Sequence, residues 1–288
     1  MIKITTSKAE LEQEVDRIAA TWRTRAKKRT RKFLQLGYFK EKTNIWGEVK
    51  TVFRKVQYEK CAYCERKFSS EEFGSSEYDL EHYRPKGRIT AYPTSADGVN
   101  YNFSTGDTRD TGYYWLAYDL ENYAAACKIC NQGLKADRFP IEGTRGVATQ
   151  NVTELNTAEL PLLIFPLQDD PAEYIDFIGA TPKAKFTQGR EFRRALVTID
   201  FFCLADSRRE ELNRERFEVI RELYLHYDII QTSKSNSIKQ LAKSIMTALC
   251  LEKSKHTACA RAYTLLLEQD AMKAWQIYQE AAAYITAT

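Results

Sequence analysis

Apolar residues along this chain follow a helical period at both ends and no single period in the middle. Leu11, Val15, Ile18 and Trp22 recur at steps of four, three and four after Ser7-Lys8-Ala9-Glu10, whose serine and glutamate have the spacing of a reciprocal helix cap. Trp46, Val49, Val52, Phe53 and Val56 mark a second helical stripe. From Arg190 to Thr288 there is neither glycine nor proline, so long helices incur no interior penalty there. Within that stretch Ile238, Leu241, Ala242, Ile245, Met246 and Leu249 repeat at helical spacing behind Ser237, a residue type suited to an N-cap. Ser207-Arg208-Arg209-Glu210 reads as another capping box, opening a helix with Phe217, Ile220, Leu223, Tyr224 and Tyr227 on one face. Further helical patterns surround Tyr263–Leu267 and Met272–Tyr278, so the final third is predicted to hold four or five helices.

The helix breakers sit elsewhere. All seven prolines and ten of the twelve glycines fall between Gly74 and Gly189. This middle region predicts short strands and turns. Tyr78 to His82 has the pattern of a strand that Pro85 ends, Leu162–Phe165 is an apolar run between two prolines, and Gly179-Ala180-Thr181-Pro182 suits a hairpin. The fold class read from these patterns is α+β, mainly helical. Four segments follow: a basic helical region over 1–58, a strand-and-loop core over 59–142, a connection over 143–189 and a helical region over 190–288. There is no internal repeat and no low-complexity tract.

A length of 288 residues allows one large domain or two modest ones. With 43% apolar and 28% charged residues the chain is too apolar for disorder and too mixed for a fibre. No apolar run approaches the roughly 18 residues of a membrane span, so no membrane partner is expected. Met1-Ile2-Lys3-Ile4-Thr5-Thr6 lacks the apolar stretch of a secretory signal, which makes a reducing cytoplasm the expected compartment and a disulfide scaffold unexpected. The net charge is only +4, yet Arg23 to Lys32 carries seven basic residues in ten. A nucleic-acid backbone would bind such a run without reading its sequence; the plain alternative is a solvated helix face.

Four of the seven cysteines form two Cys-x-x-Cys pairs, Cys61 with Cys64 and Cys127 with Cys130. Each pair can offer two thiolates from one tight turn, and four thiolates match the tetrahedral preference of a structural zinc ion. A thioredoxin-like redox pair fits less well, because no βαβ pattern surrounds either motif. Cys203, Cys250 and Cys259 stand alone in apolar-patterned sequence and read as small buried hydrophobes.

Between the pairs lie Glu81-His82 and Asn122, and Asn131 follows Cys130 directly. The order Cys-x-x-Cys, Glu-His, Asn, Cys-x-x-Cys-Asn resembles the HNH nucleases, in the version whose ββα-metal core carries a four-cysteine zinc knuckle. The likeness spans about Lys60 to Pro140. It implies a metal-dependent endonuclease that hydrolyses phosphodiester bonds, with DNA the favoured substrate and RNA the other. On that resemblance His82 is the general base, Glu81 and Asn131 hold a catalytic divalent ion, and Asn122 orients the histidine. Lys135, one helical turn past Asn131, is a phosphate contact, with Arg84 and Arg138 as weaker ones. Two ions follow: structural Zn2+, and Mg2+ or Mn2+ for catalysis. Glu81 stands where the family often has Asp or His, and Asn131 where it often ends on His; both are oxygen donors and favour a hard cation.

The flanks carry a narrower resemblance. Lys60-Cys61-Ala62-Tyr63-Cys64-Glu65, Glu81 to Lys86, Tyr114-Trp115-Leu116-Ala117-Tyr118, Arg138-Phe139-Pro140 and Leu162 to Pro166 are similar to the PtuB-type nucleases of Septu and retron-associated anti-phage systems. That likeness implies an ABC-type ATPase partner of the PtuA type. Two other readings stay open: a zinc-knuckle nucleic-acid-binding module without catalysis, and a thiol redox protein. His226 and His256 have no ligand partners at useful spacing, and Asp79, Asp119 and Glu121 read as ordinary strand and loop acids.

Overall fold

The computed structural model describes residues 1–69 and 76–287, so Gly74 and the rest of 70–75 in the expected core lie outside the described residues. The chain is α+β and mainly helical. It divides into two compact units, one of residues 3–63 and 68–169, the other of 1–2, 64–67 and 170–288.

In the first unit, helices α1 (Lys8–Ile18) and α2 (Trp22–Leu36) precede the β-sheet. The predicted cap of α1 forms in both directions, with Ser7 Oγ accepting from the Glu10 backbone and Glu10 accepting from Ser7. The second expected helix begins as a tight 3-10 turn over Trp46–Val49 and continues as α3 (Lys50–Val56). Strand β1 (Tyr78–His82) occupies the predicted span and pairs antiparallel with β2 (Tyr123–Cys127). The register sets Tyr78 opposite Cys127 and His82 opposite Tyr123. The other edge of β2 is also engaged. Gln57 Nε2 donates to the Ala125 carbonyl at 2.8 Å, the Ala125 amide donates to Gln57 Oε1 at 2.8 Å, and the Ala62 amide donates to Ala125 O at 3.1 Å.

After β2 the chain turns into a π-wound segment, Ile129–Lys135, and later helix α4 (Val152–Glu159). Leu162–Phe165 is fully buried as expected of an apolar run, but it lies in an irregular segment rather than a strand. Tyr83 seals it, stacking on Phe165 with ring centres 4.2 Å apart and donating its hydroxyl to Leu163 O at 2.7 Å.

The second unit contains the hairpin β3 (Ile175–Ile178) and β4 (Thr181–Ala184), joined by Gly179 at φ +57, with five helices after it. These are α5 (Gly189–Phe201), α6 (Glu210–Thr232), α7 (Asn236–Leu249), α8 (Thr257–Gln269) and α9 (Ala271–Ala287). The helix count agrees with the breaker-free sequence; two start signals do not. Helix α6 opens after Arg209 with no side-chain cap, so Ser207 caps nothing there, and α7 is capped by Ser235 rather than Ser237. Val219, Ile220, Leu223, Tyr263, Leu267 and Ile277 form the core of this unit. His256, in the turn just before α8, is buried with its ring 2.8 Å from the Glu215 carboxylate. Cys259 is buried, while Cys203 and Cys250 are only half-buried. Among the described residues no helix is long and apolar enough to cross a membrane.

Candidate active site and metal knuckle

The two Cys-x-x-Cys pairs converge. The sulfurs of Cys61, Cys64, Cys127 and Cys130 all lie within 4.8 Å of one another, and none is in a disulfide. A tetrahedron with metal–sulfur bonds of about 2.3 Å needs sulfur separations of about 3.8 Å, so this cluster suits a zinc ion in size and in donor chemistry. Its assembly is local in cause. The β-ladder ends at Cys127, and the Ala62 amide beside Cys61 is bonded to the same strand at Ala125.

At the far end of the ladder stands His82. Its ring nitrogen Nε2 lies 3.1 Å from the Ala117 carbonyl oxygen. A carbonyl can only accept, so Nε2 carries the proton and Nδ1 keeps its lone pair. Tyr123 donates its hydroxyl to the same carbonyl at 2.5 Å, and the rings of Trp46 and Tyr123 meet the imidazole edge-on at 5.0 Å each. Burial pushes the imidazole well below its usual pKa, and the nearby charges of Lys86 and Lys135 act in the same sense. The histidine is therefore neutral and fixed in one tautomer at neutral pH.

His82 lines a cavity of about 410 Å³ together with Asp79, Lys86, Asn131, Gln132 and Asp137. Trp46 and Lys50 border it as well. The Lys86 ammonium lies 4.8 Å from the Trp46 ring centre, and burial lowers its pKa. Gln132 donates to Asp79 at 2.7 Å.

The other expected site residues are placed differently. Asn122 makes no hydrogen bond to His82. Its Oδ1 accepts from the Arg84 amide at 2.8 Å, and its Nδ2 donates to Arg84 O at 3.0 Å and Leu116 O at 3.3 Å. It thus ties the exit of β1 to the turn that presents Ala117. Glu81 is buried and does not line the cavity; Tyr63 donates to its Oε2 at 2.8 Å. Its Oε1 faces the Lys135 ammonium, an ion-pair partner 3.3 Å away. Burial raises the Glu81 carboxyl and lowers the Lys135 ammonium, and the attraction between them opposes both shifts.

Lys135 is fully buried, with its Nζ also 3.4 Å from His82 O, so it holds Glu81 rather than facing a phosphate. The cause is the winding of Ile129–Lys135, where the Ala136 amide bonds Asn131 O five residues back. This moves Lys135 off the face that α-helical spacing assigns to it. Arg84 is buried too, donating to Glu159 Oε2 and Asn156 Oδ1 at 2.8 Å each. Arg138 pairs with Asp97 at 2.6 Å. The basic run is partly neutralised: Arg23 pairs with Glu12 and Asp16, Arg25 with Glu48, and Arg29 with Glu41. Lys86, Lys50 and Trp46 line the same cavity, and sequence spacing did not single them out. Only Lys86, in the turn just after the Glu-His pair, carried a positional hint.

Fold and site together define an α+β protein with a four-thiol cluster sized for a zinc ion and a neutral, tautomer-fixed histidine at the rim of a polar cavity. A comparison of sequences gives it a relative. Over 177 residues, 62% of this chain, it is 31% identical to the Septu protein PtuB of Bacillus mycoides (strain KBAB4). The chain spans about half that relative's length (52%). No family model matches the chain. No solved structure matches it either.

Two outcomes are expected. Full-length protein purified without chelator carries zinc at one ion per chain, and Cys127→Ser removes it while lowering resistance to urea; metal analysis showing equal zinc in both proteins contradicts the cluster assignment. Lys135→Met leaves Glu81 buried without its counter-charge and costs about 3–5 kcal/mol in urea unfolding. A variant as stable as the parent but weakened in nucleic-acid binding would return Lys135 to the surface role.

Proposed function

We propose that this protein is a metal-dependent endonuclease of the HNH type, hydrolysing phosphodiester bonds of nucleic acid, with DNA the favoured substrate. The observation that carries the reading is the His82–Ala117 hydrogen bond. It makes the imidazole a competent acceptor at Nδ1, on the rim of a cavity that also holds Asn131 and Lys86. His82 would take the proton of the attacking water. Lys86, half-buried and cationic, would face the phosphate in place of Lys135. Trp46 and Tyr123 hold the imidazole plane, and Asn122 acts through the backbone by fixing the Leu116–Ala117 turn.

The donor set suits a hard divalent cation. Asn131, on the cavity wall, would offer an amide oxygen; the Glu81 carboxylate, buried outside the cavity and ion-paired with Lys135 at 3.3 Å, would have to turn toward it to share the ion. These two residues would hold Mg2+ or Mn2+, and the ion would supply charge neutralisation at the scissile phosphate and the leaving oxygen. The Lys135 ammonium opposes the rise that burial imposes on the Glu81 carboxyl. The likeness to a Septu protein supports a role in anti-phage defence, with an ABC-type ATPase of the PtuA type as partner.

Supercoiled plasmid incubated with the protein, alone and with such a partner, is expected to be cut in Mg2+ or Mn2+. His82→Ala is expected to lower the rate by about 10²–10⁴-fold, with zinc content and circular dichroism unchanged. Cleavage by the variant at the parental rate contradicts the mechanism. Binding without cleavage by both proteins favours the non-catalytic zinc-knuckle reading.

A further inference from the structure

The Ala117 carbonyl that fixes the His82 tautomer belongs to the rigid peptide unit between Ala117 and Tyr118, so whatever holds Tyr118 helps to hold that oxygen. Tyr118 is buried, with its ring centre 6.0 Å from that of Trp22, 6.2 Å from Phe33 and 5.6 Å from Trp46. Its hydroxyl is where three segments meet. It donates to Glu41 Oε2, and it accepts from Arg29 of α2 at 3.2 Å and from the Ile45 amide at 3.3 Å. Arg29 in turn donates to Glu41 Oε1 and, at 2.7 Å, to the Thr43 carbonyl. This ion pair is largely enclosed, with 12% of the Glu41 side chain and 26% of that of Arg29 exposed. Burial and the Glu41 hydrogen bond raise the Tyr118 pKa, so the phenol stays protonated and remains a donor.

The network reaches His82 by two covalent routes. One runs from Tyr118 through a single peptide unit to Ala117 O, which accepts from His82 Nε2 at 3.1 Å. The other runs from the Ile45 amide to the next residue, Trp46, whose ring meets the imidazole edge-on at 5.0 Å. Ile45 is held at its carbonyl as well, which accepts from Trp22 Nε1 at 2.7 Å. A carbonyl oxygen has two lone pairs, and on Ala117 both are in use, since Tyr123 donates there at 2.5 Å. A small rotation of that peptide therefore weakens the bond to His82. The plain alternative is that Tyr118 only fills space, a task that a phenylalanine ring would do equally well.

We propose that Tyr118 is a positioning residue for His82: its hydroxyl, held by Glu41 and Arg29, locks the Ala117 carbonyl and Trp46 where they keep Nε2 protonated and leave Nδ1 free. The consequence for catalysis rests on the reading of His82 as general base, whereas the lock itself does not. Arg29, one of the basic run, then serves this lock rather than a nucleic-acid phosphate.

Nitrogen-15 NMR of protein labelled at the histidine ring nitrogens, at one neutral pH, tests it. The chain has three histidines, and His82→Ala identifies the His82 signals by their loss. The parent is expected to show one protonated and one bare ring nitrogen at His82, well separated in shift. Tyr118→Phe keeps the ring and removes only the hydroxyl. It is expected to draw those two shifts together as the tautomers exchange, and to lower kcat for plasmid cleavage roughly ten- to a hundredfold with KM unchanged. Glu41→Leu is expected to reproduce both effects, while Glu41→Gln keeps an acceptor oxygen for the hydroxyl and retains the parental spectrum. Val219→Ala, in the core of the other unit, loses stability without touching the lock and is expected to leave the spectrum unchanged. Circular dichroism and zinc content check the folding of each variant; should Tyr118→Phe not fold, the two Glu41 variants decide. The proposal is overturned if Tyr118→Phe folds with the parental His82 spectrum, or if Glu41→Leu and Glu41→Gln give the same spectrum. A parent that cuts no plasmid, alone or with its partner, while Tyr118→Phe still merges the two shifts, supports the lock and contradicts the nuclease reading.

Discussion

The β1–β2 register governs what the rest of this unit can do. Five residue pairs place Cys127 at one end of the ladder and His82 at the other. Because side chains alternate across a strand, a slip of one residue would turn His82 away from its cavity and displace Cys127 from the thiol cluster. The pairing is guarded on both sides. Gln57 and Ala62 occupy the outer edge of β2 at Ala125, which leaves no open edge there. Ala124, Ala125 and Ala126 are completely buried, and their small side chains let the neighbouring segments approach closely.

Burial around that ladder decides the electrostatics. His82 is kept neutral by desolvation, and its proton is committed to Ala117 O. Next to it in sequence, Glu81 is kept beside a buried ammonium, Lys135. Adjacent residues on one strand thus meet opposite conditions, an uncharged acceptor on one face and a charge pair on the other. Such a division is what general-base chemistry near a cation requires: the base must not be protonated, and the carboxylate must not be neutralised.

Much of this was legible in the sequence, because the informative signals were local. The absence of glycine and proline after Arg190 exposed the helical region. Ser7 and Glu10 announced their own cap, and the thiol spacing announced the cluster. What stayed hidden depends on contacts between distant residues or on unusual winding. Ala117 acts through its backbone carbonyl, which no residue type reveals. Lys135 is buried beside Glu81 because the segment Ile129–Lys135 is π-wound, so a spacing of four does not keep it on the face of Asn131. The arginines at 23, 25 and 29 looked free until acids at positions 12, 16, 41 and 48 were seen to neutralise them.

The likeness to a Septu protein lies in the sequence, and the geometry at His82 lies in hydrogen bonding and burial. They meet in the claim that one antiparallel pair carries a thiolate-bound structural ion at one end and a hydrolytic centre for a hard cation at the other. Anomalous diffraction from crystals grown with Mn2+, recorded at the zinc and manganese edges, tests this most directly. The account predicts a zinc peak among the four sulfurs and a separate manganese peak in the cavity that His82 and Asn131 line. A manganese site elsewhere, or none in that cavity with zinc in place, would contradict it.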